Sequence, residues 1–273
     1  MSDAVVLTLR APDGHELHAE CVAPDRFAEL SEREIAGLPV WAGRTRARLG
    51  DFFAVAGERS ARVLVRGDTG RVHGLGQGML GGELDVEGSA GDRAGAGMRG
   101  GTLVVHGDVR HDAGAGMAGG ALCVNGRAGD NLAGAGAGES RGMTGGEIVV
   151  RGAAGRDAGA LVRRGLVVVG GAAGDGAGRA MIAGTVIVFG TLGAGAGAWS
   201  KRGTLVAMCG VRVPPTFRYA CTYRPPHLAL TLTYLRRRYA LAVEDDHVTG
   251  EYRRYSGDLA ELGRGEILEW IES

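Results

Sequence analysis

Between residues 62 and 207 the chain alternates apolar and polar positions in short bursts, and each burst runs into glycine. The strand-like phrases are RVLVRG at Arg62, ELDVEG at Glu83, TLVVHG at Thr102, ALCVNG at Ala121, EIVVRG at Glu147, LVVVGG at Leu166, TVIVFG at Thr185 and TLVAMCG at Thr204. From Glu83 onward their starts lie 19, 19, 26, 19, 19 and 19 residues apart. A fixed period of this length with one strand per repeat is the signature of a solenoid, in which each unit buries its apolar side against the next.

Position two of the repeat reads Val63, Leu84, Leu103, Leu122, Ile148, Val167, Val186 and Leu205; position four reads Val65, Val86, Val105, Val124, Val150, Val169, Val188 and Ala207. Both are predicted to point inward and stack as ladders. Positions one, three and five vary through Glu83, Asp85, Glu87, His106, Asn125, Arg151 and Phe189, as an outward face should. A methionine ladder recurs at position sixteen (Met79, Met98, Met117, Met143, Met181), with Val162 and Ser200 as exceptions, and reads as flexible core filler.

Gly88, Gly107, Gly126, Gly152, Gly171 and Gly190 follow the strands, and a second glycine precedes each next strand. They read as corners that need positive φ or close approach of a neighbouring backbone. The AGAG runs between them lack the single strand, helix and downstream acid of a dinucleotide fingerprint. Nineteen is not a multiple of six, which disfavours the hexapeptide left-handed solenoid. The predicted fold is all-β: a right-handed parallel β-helix of seven to eight rungs, about 4.8 Å apart. The extra residues AGESRG (137–142) are predicted to form a projecting loop and a candidate partner contact.

Three segments follow: an α/β cap over 1–60, the solenoid over 61–210 and a partly helical tail over 211–273. VVLTLRA and HELHAECVA around Pro12-Asp13-Gly14 predict a hairpin, PDRFAELSEREIAGL a short helix and GDFFAVAG a strand. The tail has two Pro-Pro pairs, an apolar segment from Leu228 to Val243, and helix-like spacing at Leu259, Leu262, Ile267, Leu268 and Ile271. All six tyrosines lie there, at 219, 223, 234, 239, 252 and 255, which fits a subunit interface or a capping core.

Composition narrows the function. The formal net charge is zero with 31 basic and 31 acidic residues, which argues against a protein that coats nucleic acid or a membrane surface. Lys201 is the only lysine, and with the 51 glycines this points to a GC-rich genome. Cys21, Cys123, Cys209 and Cys221 have no metal-like spacing and read as buried reduced thiols of a cytoplasmic protein. No signal peptide is read at the N-terminus, and the uncharged stretch 180–200 is in phase with charged repeats, so it is not taken as a membrane span.

No catalytic or metal-binding constellation is read. His15, His18, His73, His106, His111, His227 and His247 form no HxH or HExxH unit, and the row Asp92, Asp112, Asp130, Asp157, Asp175 reads as turn-stabilising carboxylates. Arginines recur on the corners at 93, 99, 110, 127, 141, 156, 163, 164, 179 and 202, where a row could hold an elongated polyanion or be offset by neighbouring acids.

The run GDRAGAGMRGGTLVVHG (91–107) and its echoes resemble the glycine-rich superfamily that includes the C-terminal domain of the glutamate synthase large subunit. The whole layout resembles more closely the C subunit of formylmethanofuran dehydrogenase, including its bacterial relatives in formyltransferase/hydrolase complexes. That resemblance implies a scaffold in one-carbon metabolism that docks amidohydrolase-like and formyltransferase-like subunits and a remnant of the redox subunit. The complex would pass formyl from tetrahydromethanopterin to a methanofuran analogue and hydrolyse it to formate, with zinc on a partner. Arg163, Arg164, Arg141 and Arg127 are the candidate contacts to the coenzyme's acidic tail. The alternatives are a tungsten or molybdenum dehydrogenase subunit, or a glutamate-synthase-like domain coupling two active sites.

Overall fold

The computed structural model describes residues 4–10 and 16–272. In chain order, β1 (Val5–Leu9), β2 (Leu17–His18), α1 (Pro24–Phe27), α2 (Glu32–Ala36), β3 (Pro39–Ala42), β4 (Thr45–Arg48), α3 (Leu49–Phe52) and β5 (Phe53–Ala56) precede the repeats. The repeats supply β6 (Arg62–Arg66), β7 (Val72–His73), β8 (Glu83–Val86), β9 (Thr102–Val105), β10 (Ala121–Val124), β11 (Glu147–Val150), β12 (Leu166–Val169), β13 (Thr185–Val188) and β14 (Arg202–Ala207). The tail adds β15 (Arg218–Tyr223), α4 (Pro226–Tyr239), α5 (Asp245–Thr249), β16 (Tyr252–Gly257) and β17 (Arg264–Trp270).

The protein is mostly β, and its main sheet has thirteen strands in the order β15-β16-β17-β14-β13-β12-β11-β10-β9-β8-β6-β1-β5. From β8 to β14 every neighbour is parallel and one repeat along, so that Leu84, Leu103, Leu122, Ile148, Val167, Val186 and Leu205 align. The 26-residue repeat does not disturb this: Leu122 still pairs with Ile148. Its surplus leaves the stack as a loop, because a one-residue slip would turn every side chain to the other face. A second line of parallel bridges joins Ala90, Val109, Ala128, Ala154, Ala173 and Leu192. The sheet ends are antiparallel, with β5 on β1 and β15–β16 on β17, so the sheet as a whole is long and mixed.

The predicted inner ladders are buried: every residue at positions two and four is at most 2% exposed. The methionine ladder is buried with them, and Ser200, which breaks it, donates its hydroxyl hydrogen to Gly197 O at 2.6 Å. Gly88, Gly107, Gly126, Gly152, Gly171 and Gly190 lie outside the left-handed region, and their need is space: a Cβ on Gly107 would lie 2.7 Å from Ser89 N of the preceding repeat. Gly120, just before β10, has both constraints, with φ +84° and a Cβ position 2.7 Å from Gly101 O.

Several expectations are corrected. β1 and β2 do not form a hairpin: β1 pairs with β5 and β6 in the main sheet, while β2 pairs with β3 and β7 in a four-stranded sheet. The turn residues 11–15, with His15, lie outside the described residues. The helix expected over 24–38 is two short ones, because Ser31 caps α2 through the Glu34 carboxylate.

Position three is outward only in part. Val149, Val168, Ile187 and Val206 are buried under α4, joined to Leu228, Leu232, Leu235 and Tyr239. The C-terminal segment is not helical over 264–270: β17 pairs parallel to β14, placing Ile267 beside Leu205 and Leu268 beside Val206. Leu259 and Leu262 are exposed. Strand wins here because the edge of β14 offers a ready row of backbone partners. Of the thiols, Cys21 is buried but Cys209 and Cys221 are exposed, and all four are free.

Leu103→Ala should lower the unfolding free energy by about 2–5 kcal/mol in a urea titration, as for other fully buried leucines. Gly78→Ala, with φ +67° but nothing within 4 Å, should cost only the left-handed penalty of about 1–2 kcal/mol. Gly120→Ala should cost clearly more, since its Cβ also meets backbone; equal losses would contradict the close-approach reading.

Candidate functional site

Corner side chains of successive repeats fall into columns because the register is fixed. One column ties each repeat to the backbone of the next. His73 Nδ1 accepts from Asp92 N at 2.9 Å, Asp92 Oδ1 from His111 N at 3.0 Å, His111 Nδ1 from Asp130 N at 3.1 Å, and Asp130 Oδ1 from Arg156 N at 2.8 Å. Asp175 Oδ1 accepts from Ala194 N at 2.7 Å in the same way. These carboxylates therefore bond across repeats rather than to their own turns. The Arg156 N–H is the main cause holding the Asp130 carboxyl below its ordinary value.

His73 is the most enclosed polar group of that column. Its Nε2 lies 2.6 Å from Glu16 Oε2, its Nδ1 3.1 Å from Asp92 Oδ2, and its ring stacks on His18 at 4.9 Å. Arg110 reaches Glu16 at 3.3 Å and Asp92 at 3.5 Å. The hydrogen bond with His73 is the largest cause lowering the Glu16 carboxyl. Among the described residues no group of three or more His, Cys, Asp and Glu is placed to hold a metal ion.

A second fixture holds α4 on the sheet. Glu147 accepts hydrogen bonds from Tyr234 Oη at 2.8 Å and from Tyr239 Oη, while Arg151 donates to Tyr239 O at 2.5 Å and Ala240 O at 3.3 Å at the helix end. Burial first, then Glu147, pushes both phenols up. Burial likewise pushes the Cys21 thiol up to about 12, so it is a packing group and not a nucleophile.

The candidate coenzyme arginines do not form one site. Arg163 and Arg164 line a cavity of about 360 Å³ together with Arg202, Gly165, Ile182, Ala183 and Gly184. Arg141 lines another, of about 610 Å³, with Gln77, Arg93, Asp112, Glu139 and Thr144, under the loop made by the long repeat. Arg127 lines neither, and its backbone N–H donates to Asp108 Oδ1 at 2.7 Å. The join of Arg202 to Arg164 was available from the sequence, since the two are separated by two periods of nineteen. The Glu147 fixture had no such local signal, because its partners lie 87 and 92 residues away.

No protein-family model matches the chain. Glycine-cornered units in fixed parallel register define a glycine-rich repeat protein. A chain of the formyltransferase/hydrolase complex FhcABCD from Methylorubrum extorquens, solved with methylofuran, superposes with a TM-score of 0.90 at 35% identity, covering 98% of this chain and 100% of that one. The C subunit of the molybdenum-containing formylmethanofuran dehydrogenase 1 of Methanosarcina barkeri is 36% identical over 96 residues, 33% of this chain and 32% of its own length. The C subunit of the tungsten-containing dehydrogenase 2 of Methanothermobacter thermautotrophicus is 34% identical over 90 residues, 31% of this chain and 33% of its own. The matched segment thus spans about a third of these two curated relatives. The chain belongs to the family of formylmethanofuran dehydrogenase C subunits.

The lowered Glu16 carboxyl means that its stabilising effect is present above the ordinary carboxyl value of 4.5 and is lost as pH falls through the lower folded value. The melting temperature of Glu16→Gln should therefore fall less steeply than that of the natural protein on acidification below pH 4.5. Parallel melting curves would contradict the Glu16–His73 assignment. Glu147→Ala should speed amide hydrogen exchange in α4 while leaving β8–β10 unchanged, and equal protection in α4 would rule out the fixture.

Proposed function

We propose that this chain is a scaffold subunit of a formyltransferase/hydrolase complex of one-carbon metabolism, on which amidohydrolase-like and formyltransferase-like subunits dock. The observation that carries this reading is the end-to-end match to a chain of FhcABCD, in which 98% and 100% of the two chains superpose. The curated dehydrogenase relatives favour a second reading, a molybdenum or tungsten formylmethanofuran dehydrogenase component, but each matches over only about a third of its length. The reaction assigned to the complex is formyl transfer from tetrahydromethanopterin to a methanofuran-type coenzyme, followed by hydrolysis to formate, with any zinc on a partner.

The body is read as a right-handed parallel β-helix over 61–210, between a cap over 1–60 and a tail over 211–273. The nineteen-residue register and the second line of bridges support it. No helix of the described residues is long and apolar enough to cross a membrane. The chain carries the coupling of two reactions as a rigid frame: parallel strands stacked in one register deform little, so partners seated on it keep a fixed separation.

Affinity purification from the source organism, followed by mass spectrometry, tests the assignment. An amidohydrolase-like and a formyltransferase-like partner in stable stoichiometry are expected, and a molybdopterin or tungstopterin protein in their place would favour the dehydrogenase. The purified chain alone should neither transfer nor hydrolyse formyl groups; robust turnover would overturn the scaffold role.

A further inference from the structure

The outward face of the main sheet is covered over only part of its length. Position three is closed by α4 at Val149, Val168, Ile187 and Val206, and Cys123 still packs against that cluster. Beyond Cys123 the same row runs on through Val104, Asp85, Leu64, Val6 and Ala56, each registered against the next across β9, β8, β6, β1 and β5. None of these five is buried. With neighbouring strands about 4.8 Å apart, the open row is about 19 Å long. Arg62 with Glu83 at 2.9 Å and Arg66 with Glu87 at 3.0 Å flank it as ion-paired rails. Between them lies a cavity of about 350 Å³, lined by Leu64, Asp85 and Val104, with Arg238 of α4 on its wall.

The cover supplied by α4 shows what such a row takes. Its buried residues Leu228, Leu232, Leu235 and Tyr239 recur every three or four positions, which sets them about 4.5–6 Å apart along the helix axis. That interval matches strands about 4.8 Å apart, so a helix lying across the sheet offers roughly one side chain to each strand. An extended segment suits the face poorly: the sheet's backbone groups are already bonded to neighbouring strands, and those of the newcomer would be buried unpaired. A helix brings its backbone already bonded. Asp85 is the one break in the apolar floor. Glu83 and Glu87 on the same strand each meet an arginine, whereas the ion-pair partner of Asp85 among the described residues is the His106 ring, Nε2 to Oδ1 at 2.9 Å.

We propose that the row from Val104 to Ala56 is the docking trough for an amphipathic helix of a different chain, about thirteen residues long, whose apolar stripe carries a lysine or arginine set against Asp85. This docking rests on the subunit role proposed above and continues the line of α4 along the sheet. A second copy of this chain has no helix to offer. Apart from α4, whose apolar stripe is already buried, the helices of the described residues are four or five residues long. Asp85 sets partner choice and register: a helix with the cation one step out of place would enclose the carboxylate against apolar surface.

Photo-cross-linking of the full chain inside its complex tests the trough. Benzoylphenylalanine is placed at Val104 in one variant and at Leu64 in another, each is expressed in the source organism, and the cross-linked peptides are identified by mass spectrometry. Both probes should reach one segment of a different chain, with apolar residues three and four apart and a lysine or arginine within that stripe. Val104 and Leu64 lie two strands apart, so their targets should be about six to seven residues apart on a helix and about three apart on an extended strand. Asp85→Lys beside the Val104 probe should cut the cross-link yield about tenfold, and Asp85→Asn should cut it less. Targets about three residues apart, cross-links to a second copy of this chain, no cross-link to another chain from either position, or a yield undiminished by Asp85→Lys would each overturn the proposal. Far-ultraviolet circular dichroism and melting temperatures matching those of the natural protein show that each variant keeps its frame. If purification returns the expected partners and the probes reach none of them, the trough falls and the subunit role stands.

Discussion

The structure depends on one constraint: each repeat must hand its backbone to the next at an offset of nineteen residues. Parallel hydrogen bonds set the offset, and leucine, isoleucine, valine and methionine columns enforce it, because a slip by one residue would turn the buried columns to solvent. The Asp and His side chains that accept N–H groups from the following repeat add a second enforcement at the corner. Glycine is the permissive element of the scheme. At Gly107 it makes room for Ser89, and at Gly120 it also takes up a left-handed turn.

The same register divides the surface into unequal halves. In the earlier repeats position three holds Asp85, Val104 and Cys123, none of them fully buried, while Val149, Val168, Ile187 and Val206 of the later ones are closed over by α4. The helix is held both by that apolar row and by Glu147 and Arg151, which grip its tyrosines and its last carbonyls. The covered half is internal structure, while the corners remain at the surface. There, Arg163, Arg164 and Arg202 face one another across a floor that carries no acid.

The repeat was legible because it is written locally: period, inward positions two and four, methionine column and glycine corners all recur within nineteen residues. What was not legible is what depends on distant partners. IVV, VVV and VIV at β11 to β13 are apolar on both faces, the mark of a strand covered on both sides, yet only the fold shows that residues 226–239 supply the cover. The spacing of Leu259 to Ile271 suited a helix until β14 presented an open edge. Arg163 and Arg164 were visible as a corner pair, while Arg202 joins them through register and not through proximity in the chain. The family was readable from the overall layout, and the comparison with FhcABCD supports it along the whole chain.

If the offset of nineteen is the controlling constraint, the protein should tolerate the loss of a whole repeat and not of a repeat less one residue. The most direct measurement is thermal unfolding of two deletions, one of residues 166–184 and one of residues 166–183. The nineteen-residue deletion should retain a single cooperative transition at a reduced melting temperature, and the eighteen-residue deletion should show none. Two deletions that melt alike would contradict the account.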